Sequence, residues 1–489
     1  MKKVLLAVAS MLLLMTGMAF AEDGGLQIEG DYQFKADMLK GNVHDYMQYD
    51  PTYYYSGGLA GGYQPYGAGT PVFFVNPTSA YTVKNDAFMT NKFGLNLKAT
   101  PLEDLSVKAR LVMYKVWGHQ TTTPGDGWFF ADRAMGVNDG TASHVPQDSV
   151  MRTDYAYTTL SNIGNMPLWF SVGRRPSTGG VPTNIKNNSA KAGTGGIPGI
   201  LVDYAFDGMT IGYAPDIDSM PGMYAKLCYG KGFDSGYQST TGATLKDTDF
   251  LGLNAALYDT DNLHVEVQYQ KGWNIFNAPS DGSALTGPVS ANLGDIDWIG
   301  TVIMGKVSNL NLFFSAAQSK TTANDGTLSM PFYAEDETPG AVVHNAGYGL
   351  LYDQGAKENH TGTAVYLGGR YDIASTGTKI GAEYNQGSEY WIGMVPAGDD
   401  VWTSKLGTRG SVYEVYIIQE LKNKALTKKG QAFFKLGYQV YKFDYTGSNS
   451  WIGAPKKISD LNSTNQMNAQ MLAPISKATD LYLTMEVRF

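Results

Sequence analysis

Catalytic chemistry has little to work with in this chain. Its histidines, His44, His119, His144, His264, His344 and His360, are scattered, and none falls in an H-E-x-x-H or other paired metal spacing. There is no G-x-S-x-G elbow and no phosphate-binding loop. The single cysteine, Cys228, has no neighbour in sequence that would lower its pKa, so it reads as a small filler rather than a nucleophile. One cysteine cannot form a disulfide framework or a C-x-x-C-H haem site. The expectation is a protein that is not an enzyme and carries no cofactor or metal of its own.

Charge placed at alternate positions offers a different chemistry. On one phase of the alternating segments stand the bases Lys35, Lys108, Arg110, Arg152, Arg175, Lys226, Arg370 and Lys435. The same phase carries the acids Glu29, Asp31, Asp37, Asp154, Glu266, Glu383, Glu414 and Glu486. Fixed charges in a narrow aqueous pore set ion selectivity, because an opposite charge lowers the barrier for a passing ion. On that reading the pore-lining candidates are Lys108, Arg110, Arg152, Arg175, Lys226, Glu266, Arg370, Glu383 and Lys435. On the other reading many of these charges pair across strands and only hold the wall.

The elements that carry them are β-strands. In the last nine residues, Leu481, Leu483, Met485, Val487 and Phe489 fall on one face, and Tyr482, Thr484, Glu486 and Arg488 on the other. Strict alternation separates apolar and polar side chains to opposite faces of a strand. Leu26 to Met38 alternates in the same way at the other end. Left open, such a terminal strand would be an exposed edge; pairing with Leu26–Met38 would close a barrel. A terminal Phe489 with hydrophobic residues two and four places back also resembles the signal by which bacterial outer-membrane barrels are recognised for assembly.

Between these ends, long loops and short turns take turns separating strands. Asp207-Gly208 decides the count. As a hairpin turn it gives seventeen strands, whereas one continuous strand from Ile200 to Tyr213, bulged at Gly208, gives sixteen. Only the even count puts all short turns on one side and all long loops on the other. The expected fold is all-β: a transmembrane antiparallel barrel of about 16 strands with short periplasmic turns and long extracellular loops. Trp117, Tyr32, Trp169, Trp273, Trp298 and Trp391 lie near strand ends and suit interfacial girdles. The Gly-rich loop Pro176–Gly199, with Lys186 and Lys191, is the third long loop, and by analogy with general porins it is the candidate constriction.

Composition agrees. Met1-Lys2-Lys3, the apolar run Val4 to Met18 and Ala19-Phe20-Ala21 form a secretory signal peptide, leaving residues 22–489 as a single barrel domain. No later stretch of about 18 apolar residues could form a spanning helix, yet hydrophobic residues reach 43%, with 32 Tyr and 58 Gly. Without the leader's two lysines, the 37 bases become 35 against 45 acids, a formal charge of about −10. That excludes nucleic acid as a natural partner.

Val172-Gly-Arg-Arg-Pro-Ser-Thr-Gly-Gly180, Gly199-Ile-Leu-Val-Asp-Tyr204 and Ala225-Lys-Leu-Cys-Tyr-Gly-Lys-Gly232 resemble a family of uncharacterised porin-like outer-membrane β-barrel proteins of metal-reducing and related proteobacteria. The resemblance implies a porin-like barrel in the bacterial outer membrane, with lipid around it and small solutes or ions within. The leading expectation is a diffusion channel for small hydrophilic solutes or ions. The alternatives are a sheath for a separate exported multihaem cytochrome, which needs a lumen cleared of inward loops, and a surface adhesin or receptor. A homo-oligomer is compatible with either.

Overall fold

The computed structural model describes residues 25–50, 73–118, 143–144, 146, 148–174, 180–189, 199–203, 206–236, 245–276, 291–333, 344–353, 355–395, 397–422 and 430–489. The leader at 1–21 and Arg175 lie outside them. In chain order the strands are β1 (Gln27–Val43), β2 (Tyr46–Asp50), β3 (Phe73–Thr78), β4 (Tyr81–Leu102), β5 (Leu105–Val116), β6 (Arg152–Leu160), β7 (Leu168–Arg174), β8 (Asp207–Tyr213), β9 (Tyr224–Phe233) and β10 (Thr248–Asp259). There follow β11 (Leu263–Phe276), β12 (Asn292–Val307), β13 (Leu310–Ala323), β14 (Leu328–Tyr333), β15 (His344–Tyr348), β16 (Thr361–Ile373), β17 (Thr378–Gly387), β18 (Gly410–Glu420), β19 (Gln431–Phe443) and β20 (Ile475–Arg488).

Sixteen of these strands close a single antiparallel barrel, with β1 joined to β20 on one side and to β4 on the other. Alternation explains why the sheet closes. Leu251, Leu253, Val267, Ile299, Leu481 and Leu483 face outward and are exposed, while the polar residues between them turn in. In hydrocarbon every backbone N–H and C=O must be paired within the protein, and a closed barrel meets that demand without leaving an edge. The seam is long: β1 and β20 run in register from Asp31↔Arg488 to Asn42↔Lys477. Past the last strand, the Phe489 N–H donates to the Gly30 carbonyl at 2.9 Å and its carbonyl accepts from Gly30 N–H at 2.7 Å. The Phe489 ring lies over Gly30, where a Cβ would meet it at 2.5 Å.

The expected count of sixteen holds, but two elements differ. Ile200–Asp203 and Phe206 are not strand; among the described residues only Asp207–Tyr213 pairs into the wall. Ile200, Leu201 and Val202 are instead buried. The first long loop is also more ordered than expected. β4 runs for 22 residues from Tyr81, and β2 and β3 join β14 and β15 in a separate four-stranded sheet of order β15-β14-β3-β2. A Tyr49–Tyr348 hydroxyl pair at 2.9 Å and a Gln48↔Gln470 bridge tie that sheet together and to the β19–β20 connection.

Two connections from the long-loop end pack against the inner wall. One is the described part of the β17–β18 connection, residues 388–395 and 397–409. The other is the described part of the β7–β8 connection, where a single helical turn, α1 (Thr183–Lys186), is buried at every position. Trp391, Val395 and Leu406 pack with Ile185, Ile200, Phe313 and Tyr366. Ile392 and Met394 pack with Val202, Phe250, Trp298 and Trp451. Trp298 and Trp391 are expected to be girdle residues from their place near strand ends, and they are not. Both are buried, and their indole N–H groups donate to the Ile392 carbonyl at 3.0 Å and the Leu406 carbonyl at 2.7 Å.

Candidate functional site

The inner wall divides into two arcs. Along β16–β20 and β1, wall charges meet the inward connections. Lys405 reaches Glu383 on β17 and lies 2.6 Å from Glu414 on β18. Lys186, on α1, lies 2.7 Å from the other oxygen of Glu414, which also accepts from Tyr482 OH at 2.7 Å. Glu383 accepts from Tyr366 OH at 2.7 Å. Arg370 holds Asp372 through two donors at 2.6 and 2.9 Å and also donates to the Ile185 carbonyl. Arg488 donates to the Asn187 and Asn188 carbonyls at 2.6 and 2.8 Å. Lys35 sits 2.5 Å from Asp37 and 3.7 Å from Asp480. The Lys405 and Glu414 side chains are 3% and 1% exposed, so these ions lie away from water and depend on one another.

The tip of the β17–β18 connection points at the β1–β19 side of this arc. The Asp400 N–H closes a turn on the Ala397 carbonyl at 3.1 Å, with Gly398 at φ 62°, a left-handed conformation that suits glycine. Asp399 then accepts from Gln33 Nε2 at 3.1 Å and, through its carbonyl, from Lys35 Nζ at 2.8 Å. Lys435 Nζ stands 3.8 Å from its carboxylate. Burial pushes the Asp399 carboxyl up, but Lys435, Lys92, Lys35 and Lys186 more than offset this and hold it well below the usual carboxylate range. Burial likewise pushes the Lys405 ammonium down, and Glu383 and Glu414 raise it well above its ordinary value.

The arc from β4 to β9 differs. Lys108, Arg110, Arg152 and Lys226 lie on its inner face and are all only half-buried. Arg110 pairs with Asp31 at 2.7 Å and Asp154 at 3.5 Å and donates to Asn96 at 2.8 Å. A register shift opposite Arg110 leaves Asp154 as the extra residue of a bulge in β6, and this lets the carboxylate reach Arg110. Arg152 lies 3.2 Å from Asp148. Lys92 and Lys226 lie over the Tyr114 and Tyr224 rings at 5.3 and 5.8 Å. Cys228 accepts from Thr210 Oγ1 at 3.5 Å. Between the arcs, Glu266 is buried against His264 Nε2 at 2.9 Å, and the other ring nitrogen of His264 is 2.9 Å from Asp259.

The sequence-derived candidates thus separate. Lys108, Arg110, Arg152 and Lys226 share the half-buried arc, and Glu266 marks its border. Arg370, Glu383 and Lys435 are buried beneath the inward connections. Sequence reasoning missed Asp399, Asp400, Lys405 and Arg409, all on the β17–β18 connection. Its signal was Tyr390-Trp-Ile-Gly-Met-Val395 with Trp402, too apolar for a segment that faces water.

A family model described as "Protein of unknown function (DUF3373)" matches residues 82–489. No curated protein matches the chain. Among solved structures, it is similar to OmpT, an outer membrane protein of Vibrio cholerae, in its trimer form. That match has 11% identity and a TM-score of 0.39 over 95% of this chain and 99% of that one. An anion-selective porin from Comamonas acidovorans matches at 11% identity and TM-score 0.43, over 95% and 99%. OmpF of Salmonella typhi, in complex with daunomycin, matches at 11% and 0.41, over 95% and 98%.

Proposed function

The chain belongs to the family described as "Protein of unknown function (DUF3373)", and we propose that it works as a porin-like channel of the bacterial outer membrane. Small hydrophilic solutes or ions would pass along the β4–β9 arc, while the inward connections narrow the lumen. One observation carries the reading: a closed sixteen-strand barrel with leucines, valines and isoleucines exposed on its outside and ionisable side chains on its inside. An apolar band around a polar interior suits a lipid surround and an aqueous core. The leader at 1–21 would deliver the chain for export. A cytochrome sheath needs an empty lumen, and residues 180–189, 199–203, 388–395 and 397–409 already pack inside this one.

The reading is tested by reconstituting purified, heat-modifiable protein in planar bilayers. Discrete conductance steps are expected; folded protein that never conducts would overturn it. We also propose that Phe489 is an assembly signal. Its deletion should lower the amount of protein at the cell surface several-fold. The unfolding midpoint should fall less, because only two hydrogen bonds of a long seam are lost, at about 1 kcal/mol each. Normal surface levels of the deletion variant would show that Phe489 serves the seam alone.

A further inference from the structure

We propose that Asp399 is an internal stand-in for a small carboxylate, and that Gln33, Lys35 and Lys435 form a carboxylate-binding site that the loop tip now fills. Different kinds of element carry the two sides of the contact. The donors stand on barrel strands: Gln33 and Lys35 on β1, Lys435 on β19. Neighbouring strands fix them, and β1 and β19 are held together through β20. The acceptor stands on a connection, at a four-residue turn closed by one backbone hydrogen bond. A site of fixed donors with a tethered acceptor is already shaped for a free ligand of the acceptor's chemistry.

A second observation points the same way. Lys435 is 1% exposed, and its Nζ has no hydrogen-bond partner among the described residues. Its distance to Asp399, 3.8 Å, is a charge contact and too long for a hydrogen bond. A buried ammonium without an acceptor is costly, and Asp399 satisfies its charge without satisfying its protons. A free carboxylate, not bound to the geometry of a turn, can approach to hydrogen-bonding distance. Lys35 is already shared with Asp37 and Asp480, so Lys435 is the cation on which recognition depends. Lys186 is likewise shared, with Glu414 at 2.7 Å and Asp400 at 3.7 Å. This deepens the channel reading, on which it rests for its consequence, by naming small carboxylates as the solute class held in the lumen.

The test uses the full mature chain in detergent, with succinate as the probe and sodium chloride at matched ionic strength as the control. In Asp399→Asn the tip no longer supplies the charge. Succinate at about one hundred times its dissociation constant should then raise the thermal unfolding midpoint by about 2–4 °C over the chloride control. The wild-type protein should need at least about ten-fold more succinate for the same shift, because Asp399 competes. Adding Lys435→Met to Asp399→Asn should abolish the shift. No shift, an equal shift with chloride, or a shift that survives Lys435→Met overturns the proposal. If Asp399→Asn does not fold, its refolding yield with and without succinate decides. Rescue by succinate and not by chloride supports the site, and no rescue overturns it. In bilayers, succinate should reduce the current through Asp399→Asn at concentrations that leave the wild-type channel open. Absence of any conductance would count against the channel reading, and the midpoint shift would still decide the site.

Discussion

The two arcs of the inner wall are made of the same side chains, lysines, arginines and carboxylates on the inward phase of strands, yet the charges serve opposite ends. On the β16–β20 arc they are buried under two connections and bound into one network, so each is a structural partner of the next. On the β4–β9 arc they are half-buried and face what remains of the lumen. An ion pair out of water is worth much to its partners and little to a passing solute. A half-exposed charge contributes little stability but acts on whatever moves past it. Burial, and not residue type, therefore decides which charges can act on a passing solute while the inward connections stay in place.

The largest effect that would break this distinction lies at Lys405. Replacing it with Met leaves Glu383 and Glu414 facing each other without the cation between them. Removing one member of a buried ionic group costs about 3–5 kcal/mol. The unfolding midpoint should fall accordingly, and the β17–β18 connection should become open to protease. Glu383→Gln introduced into Lys405→Met should recover part of the loss. If Lys405→Met unfolds like the wild type, the buried network is no stronger than a surface one.

Smaller in stability and larger in function are changes on the other arc. Arg110→Gln should cost about 1 kcal/mol, because its pairs with Asp31 and Asp154 are only partly screened from water, with side chains 15–22% exposed. Lys226→Gln should leave the unfolding midpoint within about 0.5 kcal/mol of the wild type and shift the reversal potential of the reconstituted channel towards cations. Lys435→Gln should do the reverse and destabilise without moving the reversal potential. Equal shifts from Lys226→Gln and Lys435→Gln would erase the difference between the arcs.

This division explains what the sequence did and did not make legible. The strands were plain wherever one face was apolar and the other polar, as in Leu26–Met38 and Leu481–Phe489, because lipid outside and water inside impose a period of two. Parity then settled the count. The inward connections were not plain, because a loop's position inside a barrel is set by what it meets there. The trace they leave is on the strands they cover. On β12, Ile296, Trp298 and Val302 face in while Ile299 and Ile303 face out, and β18 sets Val412, Tyr416 and Ile418 against Tyr413, Val415 and Ile417. Strands that are apolar on both faces are buried on both. Here one face meets lipid and the other meets the protein's own loops. Reading Trp298 as a girdle residue took it for the outer phase, when register places it on the inner one.

The smallest expected effect concerns acid. Were Asp399 an ordinary carboxylate, lowering the pH towards 4 would begin to discharge it and loosen the loop tip. Its pKa is instead depressed by the lysines around it. A depressed acid contributes stability that is present above its unfolded value of about 3.9 and is lost only as pH falls through the lower folded value. The contribution of Asp399 to holding the tip should thus be nearly unchanged from pH 8 to about pH 4, where an ordinary carboxylate would already be about half discharged. Protease sensitivity of the β17–β18 connection in the wild type, minus that in Asp399→Asn, should stay constant over this range. His360, just before β16, has the same sign in a higher pH window. Burial pushes its imidazole pKa down, and the ring stacks on Tyr390 with centroids 3.9 Å apart. A depressed base is most favourable when neutral, so its contribution should decline as pH falls below about 6.5. A scan that finds the tip loosening as pH falls from about 5 to about 4 while the His360 stack holds would overturn both assignments. It would mean that the cations around Asp399 are screened by water and that the buried arc is wet.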